Sequence, residues 1–356
     1  MSGTSLDGVD GVLVNFLDPE NLKVEAHVHL PFAPELKQHL LNLNSPANNE
    51  IECAGMAAID LARLYAGNVA ALLQQTGLSA SDIRAVGCHG QTIRHRPDLG
   101  FTLQIGNPAW LAELCGIDVV ADFRSRDIAA GGQGAPLVPA FHRAVFAHPL
   151  KHRVIVNIGG ISNLTNLPPQ GPVSGFDCGP GNILMDGWIL RHCGLAFDEG
   201  GRWASGGKVI PDLLVRLLDD TFFHQSPPKS TGRDQFNPGW LEARLPPGYA
   251  AIDVQATLLE LSASCIAGDI LKHCSGAEEI FLCGGGARNQ ALVERLRGML
   301  PQAGIASTGV LGLDTDHVES AAFAWLAMQC LSGRPGNLPR VTGARGPRIL
   351  GAIYQA

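Results

Sequence analysis

Four short stretches of this chain combine glycine with hydroxyl, amide or carboxylate side chains: MSGTSLDGVD (1–10), VNIGGISN (156–163), GFDCGPGN (175–182) and CGGGARN (283–289). Such stretches suit anion binding. A backbone without side chains lets N–H groups approach phosphate oxygens, hydroxyls add donors, and a helix that follows adds partial positive charge at its N-terminus. None has the G-x-x-x-x-G-K-[ST] or G-x-G-x-x-G spacing, so neither the P-loop nor the dinucleotide fingerprint is supported. Any one of the four could merely turn the chain; four together are harder to read that way.

These turns need strands and helices to hold them. Apolar runs at 11–16, 84–88, 101–106, 118–123, 153–160, 172–177 and 279–286 predict strands, and the last three glycine stretches each follow one. Helical spacing of Ile51, Ile59, Leu61, Leu64, Leu72 and Leu73 predicts a helix from Glu50 to about Gln75, and further helices are predicted over 182–192, 211–223, 253–273, 289–300 and 317–331. Strands mixed with long helices indicate an α/β fold, in which ligands bind beyond the carboxyl ends of the strands.

Composition narrows the function classes. A chain of 356 residues, 46% of them apolar, is longer than one core usually serves, so two domains are expected. Lys plus Arg number 26 against 33 Asp plus Glu, a net charge of -7, with no basic run; nucleic acid is not an expected partner. The nine cysteines include no C-x-x-C pair and read as reduced thiols, and the twelve histidines show no zinc-type spacing. Neither a leader pattern nor an unbroken apolar stretch of about 18 residues is evident, so a cytoplasmic enzyme without a membrane partner is the expectation.

The opening decapeptide, CHGQTIRHRP (88–97), LQIGNPAWLAE (103–113), DVVADFRSRDIAAGGQGAPLVPAFH (118–142), NIGGISN, GFDCGPGN, KSTGRDQFN (229–237), CGGGARN and VESAAFAWLA (318–327) together resemble the anhydro-N-acetylmuramic acid kinase family, in order and along essentially the whole chain. The resemblance implies an actin/Hsp70/hexokinase-type sugar-kinase fold, two ribonuclease-H-like domains hinged around an ATP cleft. Residues 1–118 and 334–356 would form domain 1, and 119–333 domain 2. It also implies that ATP phosphorylates the 6-oxygen of 1,6-anhydro-N-acetylmuramic acid while water opens the anhydro bridge. The product would be N-acetylmuramic acid 6-phosphate, made during peptidoglycan recycling by a cytoplasmic homodimer. Family members ordinarily carry a short strand before MSGTS; here Met1 stands directly on the turn, so the phosphate hairpin is expected to be less well anchored.

Phosphoryl transfer needs the γ-phosphate held in line and its charge neutralised by Mg²⁺ and donors. Gly3, Thr4, Ser5 and Gly8 can donate within the phosphate turn, which also contains Leu6, Asp7, Val9 and Asp10. Asp7 suits either the neighbourhood of a phosphate-bound Mg²⁺ or the capping of its own turn, and Asp10 is open to the same two readings. Gly159 and Gly160, with Asn157 or Asn163 as polar contact, resemble a second phosphate loop, and Gly284, Gly285 and Gly286 the adenosine-side loop. Asp177, at the end of its predicted strand, is the expected base that activates water; capping of the following helix is the other use for such a residue. Arg126 matches a sugar-contacting position and suits the lactyl carboxylate, with Arg124 on the same side of an extended segment. Glu319, His89, Gln91 and Thr92 complete the expected sugar contacts; Glu319 equally suits a helix N-terminus and His89 a structural role. KSTGRDQFN receives no role. Two other classes remain open: another sugar or acid-sugar kinase of the same fold, or a nucleotide-dependent binding module without catalysis.

Overall fold

The computed structural model describes residues 1–3, 6–16 and 22–356. Thr4 and Ser5, named above for the phosphates, lie outside the described residues. The described strands are β1 (Gly8–Phe16), β2 (Leu22–Pro31), β3 (Val86–Gly87), β4 (Gln91–Arg96), β5 (Phe101–Ile105), β6 (Val119–Ala121), β7 (Arg153–Ile158), β8 (Ile161–Leu167), β9 (Ser174–Pro180), β10 (Glu279–Cys283), β11 (Gly304–Ser307) and β12 (Ala352–Tyr354). Contacts divide the chain into two compact units, Met1–Val145 with His317–Ala356, and Phe146–Asp316. Segments 119–145 and 317–333, expected with the second domain, thus pack with the first. β6 pairs with β3 and β12, and helix Val318–Leu331 lies against β1 and β3.

The second unit is built on one five-stranded sheet in the order β11-β10-β7-β8-β9, with β10 and β11 parallel to β7 and with β7, β8 and β9 antiparallel. Numbered within the unit this is 5-4-1-2-3, the ribonuclease-H-like order, and the fold class is the α/β class expected. β7 lies at the centre, and Val154, Ile155, Val156 and Ile158 are fully buried there, as the unbroken apolar run of a strand covered on both faces requires. Helix Ala251–His273 packs against β8 and β9, and 15 of its residues are buried. No side chain caps its first turn, so burial rather than capping holds it.

The first unit carries smaller sheets, β1-β2, β4-β5 and β12-β6-β3. Helix Glu50–Thr76 covers β1 and β2 through Ala57, Leu61, Ala62, Tyr65, Asn68 and Leu72, spaced as one helical stripe. That helix and Ala251–His273 both have the length and apolarity to cross a membrane; the second has 83% of its apolar window buried inside its own unit. Asp127, fully buried, accepts hydrogen bonds from Asn337 Nδ2 (2.7 Å), Thr342 Oγ1 (2.8 Å) and the Gly134 N–H (2.8 Å), tying the C-terminal segment to the 124–134 segment.

The single helix expected over 211–223 is two, Pro211–Leu218 and Thr221–His224. The chain breaks at Asp220, whose backbone is extended and whose carboxylate caps the second helix at the Phe222 N–H (3.0 Å).

Candidate active site

In the second unit three glycine turns gather at the carboxyl ends of the parallel strands β7 and β10. The β7–β8 turn (Gly159, Gly160) accepts from the turn after β9: Gly181 N–H to Gly160 O (2.9 Å), Asn182 N–H to Gly159 O (2.8 Å) and Ile183 N–H to Gly160 O (3.1 Å). A Cβ on Gly181 would lie 2.3 Å from Gly159 O, and one on Gly286, in the turn after β10, 2.2 Å from Ile158 Cγ2. Glycine at these two positions is therefore forced by close approach. Beyond the β10 turn, Asn289 accepts from Leu292 N–H (3.1 Å) and starts helix Gln290–Met299. Asn157 stands on β7 opposite Asn163, and Asn182 Nδ2 donates to Ile158 O (3.3 Å). Gly284 and Gly285 lie in the same turn as Gly286.

Asp177 is in the middle of β9, not at a strand end, because the strand continues through Pro180 past a register shift between Ser162 and Asn163. β9 is the sheet's edge, and the Asp177 N–H is taken by Lys229 O (3.1 Å). The half-buried carboxylate does not cap helix Ile183–Cys193. Its Oδ2 accepts from Ser230 Oγ (2.9 Å) and from the Thr231 N–H (2.9 Å). Burial raises its pKa above the ordinary carboxylate value, opposed by the two hydrogen bonds and the Lys229 charge. Nearby in the chain, Asp186 is pushed up to about 7, mainly by burial, with the Arg233 charge opposing and Asp198 adding to the rise.

In the first unit the opening turn is tied down by side chains from afar. Ser2 Oγ meets Tyr65 Oη (2.8 Å), Gln91 Nε2 donates to Gly3 O (3.2 Å), and Asn68 Nδ2 donates to Val9 O (3.3 Å) and Val28 O (2.9 Å). Leu6 and Val9 are buried in the core, so only their backbones face outward chemistry. Asp7 is exposed, and its Oδ1 accepts from the Gly8 N–H (3.0 Å). Asp10 Oδ1 lies 3.1 Å from His27 Nε2 and 2.9 Å from His29 Nδ1.

Both ring nitrogens of His89 are engaged by neighbours within the protein. Its Nε2 accepts from Arg124 Nε (3.1 Å) and Nη2 (2.9 Å), and because a guanidinium only donates, Nδ1 carries the proton, which goes to Gly90 O (2.7 Å). Burial and the Arg124 charge hold its pKa well below the usual histidine value. Arg124 also donates to Gly134 O (2.8 Å), and burial lowers it to about 10. Arg126 is exposed, with no side-chain hydrogen bond among the described residues. Thr92 Oγ1 accepts from Gln104 Nε2 (3.0 Å), and Gln91 Oε1 is buried without a donor among the described residues. Glu319 occupies the first turn of Val318–Leu331, close enough for its charge to act on Arg124.

Among the described residues no group of three His, Cys, Asp or Glu is arranged to hold a metal ion. Kinase magnesium takes one or two carboxylates and completes its shell with phosphates and water, and the exposed Asp7 carboxylate fits that use. Asp10, with two imidazoles on one oxygen, fits it less well.

A sequence model of the family described as anhydro-N-acetylmuramic acid kinase matches residues 1–356. The chain is 56% identical over 367 residues to the anhydro-N-acetylmuramic acid kinase of Variovorax paradoxus (strain S110), covering 100% of this chain and 98% of that one. It is 54% identical over 358 residues to the protein of the same name from Nitrosospira multiformis, again covering 100% and 98%. A solved structure, an activator of 2-hydroxyisocaproyl-CoA dehydratase from Clostridium difficile with bound ADPNP, overlays with a TM-score of 0.40 at 13% identity, covering 86% of this chain and 89% of that one. A likeness of that size carries no argument. The two relatives and the full-length family match do: the chain belongs to the anhydro-N-acetylmuramic acid kinase family, and with it to the phosphate-transferring enzymes.

Proposed function

We propose that this enzyme uses ATP and water to open 1,6-anhydro-N-acetylmuramic acid and phosphorylate its 6-oxygen, releasing ADP and N-acetylmuramic acid 6-phosphate for peptidoglycan recycling. Asp177 takes a proton from water as the water oxygen bonds to the anomeric carbon. The bond from that carbon to O6 breaks with its electron pair on O6, O6 bonds to the γ-phosphorus, and the bond to the β-phosphate oxygen breaks. One carboxylate and a nucleotide thus do what a pair of carboxylates does in an inverting glycosidase.

The observation that carries this reading is the state of Asp177. Burial makes it a stronger base than a solvated carboxylate, while two donors on one oxygen fix its orientation. Asp177 Oδ1, which has no donor among the described residues, is the atom assigned to the proton. Within the second unit, Gly159, Gly160, Asn157 and the Gly284–Gly286 turn are assigned to the nucleotide. Within the first, the 3–10 turn is assigned to phosphate. Mg²⁺, when bound, neutralises phosphate charge, and Asp7 is the residue assigned to it. Arg126 is assigned to the lactyl carboxylate, because Arg124 already spends three donors on His89 and Gly134. Glu319, Gln91 and Thr92 are assigned to the sugar. The reading extends to a homodimer in the bacterial cytoplasm.

Turnover in ¹⁸O-labelled water with Mg-ATP tests it. The label is expected at the anomeric carbon of the product, with ADP release depending on 1,6-anhydro-N-acetylmuramic acid and absent with glucose or N-acetylglucosamine. Label only in phosphate, or ADP release with glucose, would defeat the reading.

A further inference from the structure

One motif of this unit has no use so far: KSTGRDQFN, whose first three residues each hydrogen-bond Asp177. We propose that Lys229–Thr231 is the positioning element of the catalytic base, with the buried Lys229–Asp269 ion pair as its anchor and Ser230 as the donor that aims Asp177. The proposal rests on the reading of Asp177 as general base.

Lys229 is 1% exposed at its side chain, and its Nζ lies 3.1 Å from Asp269 Oδ1 and 2.9 Å from Oδ2, on the core helix Ala251–His273. The ammonium also stands over the Phe222 ring at 4.9 Å and the Phe176 ring at 5.8 Å. With its head held there, the Lys229 carbonyl reaches the Asp177 N–H, and the next two residues place an O–H and an N–H on Asp177 Oδ2. The far end is fixed too. Thr231 Oγ1 bonds Gln235 Oε1 (2.8 Å), and Gln235 Nε2 bonds Asp220 (3.2 Å), which also accepts from Trp240 Nε1 (2.8 Å) and Arg244 Nη2 (2.9 Å). A loop pinned at both ends does not drift, so the carboxylate it holds keeps one rotamer and presents Oδ1.

The same contacts bias ionisation. Burial raises Asp177, whereas the Thr231 N–H, the Ser230 O–H and the Lys229 charge lower it. The charged or titratable groups around it are Lys229, with Asp269 and His273 behind it on the helix, and the Cys178 thiol on its own strand. Removing one lowering contact leaves the base protonated to higher pH.

The test is the pH profile of kcat/KM for the full-length enzyme with Mg-ATP and 1,6-anhydro-N-acetylmuramic acid. Ser230 is exposed, so Ser230→Ala removes a donor and little packing. Its acidic limb is expected to move up by about one pH unit, roughly a tenfold loss below the limb that vanishes on the plateau, and Ser230→Thr is expected to restore the limb. A uniform loss at every pH, or an unmoved limb, overturns the role of Ser230. Exchanging the ion pair for apolar side chains, Lys229→Met with Asp269→Leu, is expected to fold, to lower kcat and to leave KM for ATP within twofold; an unchanged kcat overturns the anchor. Asp177→Asn separates the two ideas. If it still turns over, the base reading falls; if it is inactive while Ser230→Ala keeps the parent profile, only the positioning role falls.

Discussion

In the second unit the β7–β8 turn and the turn after β9 lock onto one another through main-chain hydrogen bonds, and Gly181 and Gly286 leave no room for a methyl group. In the first unit the opening turn is held by Ser2, Asn68 and Gln91 side chains whose partners lie between 40 and 88 residues away along the chain. The two units therefore tolerate different kinds of mutation. A backbone-built site fails when a side chain is added, and a side-chain-built site fails when one is taken away.

Substitutions in the two units are expected to differ in the size of their effects. Asp177→Asn keeps a side chain of the same shape, so thermal unfolding is expected to stay near the parent while turnover falls by about 10²- to 10⁴-fold or more; steady-state kinetics and a melting curve together read both. Gly286→Ala adds a methyl group against Ile158 and is expected to destabilise by about 1–3 kcal/mol and to raise KM for ATP. A parent-like KM there would remove the backbone-built half of the contrast.

Asp186→Asn is expected to act with the opposite sign, through pH. A carboxylate pushed up to about 7 holds its proton more tightly folded than unfolded, so stability falls as pH rises from near 4 toward 7 and stays low above it. The neutral amide escapes that penalty, so the variant is expected to be more stable than the parent at pH 8, by roughly 2 kcal/mol, with no advantage at pH 4. Denaturant titrations at the two pH values check it. Smallest is Ser2→Ala, which leaves the Tyr65 hydroxyl without this partner and is expected to cost about 1 kcal/mol, measured by the same titrations.

Much of the second unit was legible because its chemistry is local. GFDCGPGN carries both Asp177 and the turn that follows, and the apolar run of β7 announces a central strand. The partner of Asp177 was not legible, since Ser230 is 53 residues away and only the fold brings it to the edge of β9. Hydroxyls directly after a lysine, in a motif without a role, were the one signal. β8 escaped detection because its inward residues include Ser162 and Thr165, polar side chains buried through hydrogen bonding rather than apolarity; Ser162 Oγ donates to Gly179 O at 3.1 Å. β2 (LKVEAHVHLP) does alternate apolar with polar residues and was readable in principle, but its charged and histidine positions obscured the period. The His89 tautomer needed Arg124 to be placed first, because only the donor-only guanidinium decides which nitrogen accepts.

The buried carboxylate of Asp127 has a consequence for the order of events on the ribosome. Its donors Asn337 and Thr342 emerge more than two hundred residues after it, and β12 must arrive later still to pair with β6. The uninterrupted stretch Phe146–Asp316 carries its whole sheet and can close while synthesis continues. The first unit therefore waits for residues 337–354 before its own interior is satisfied.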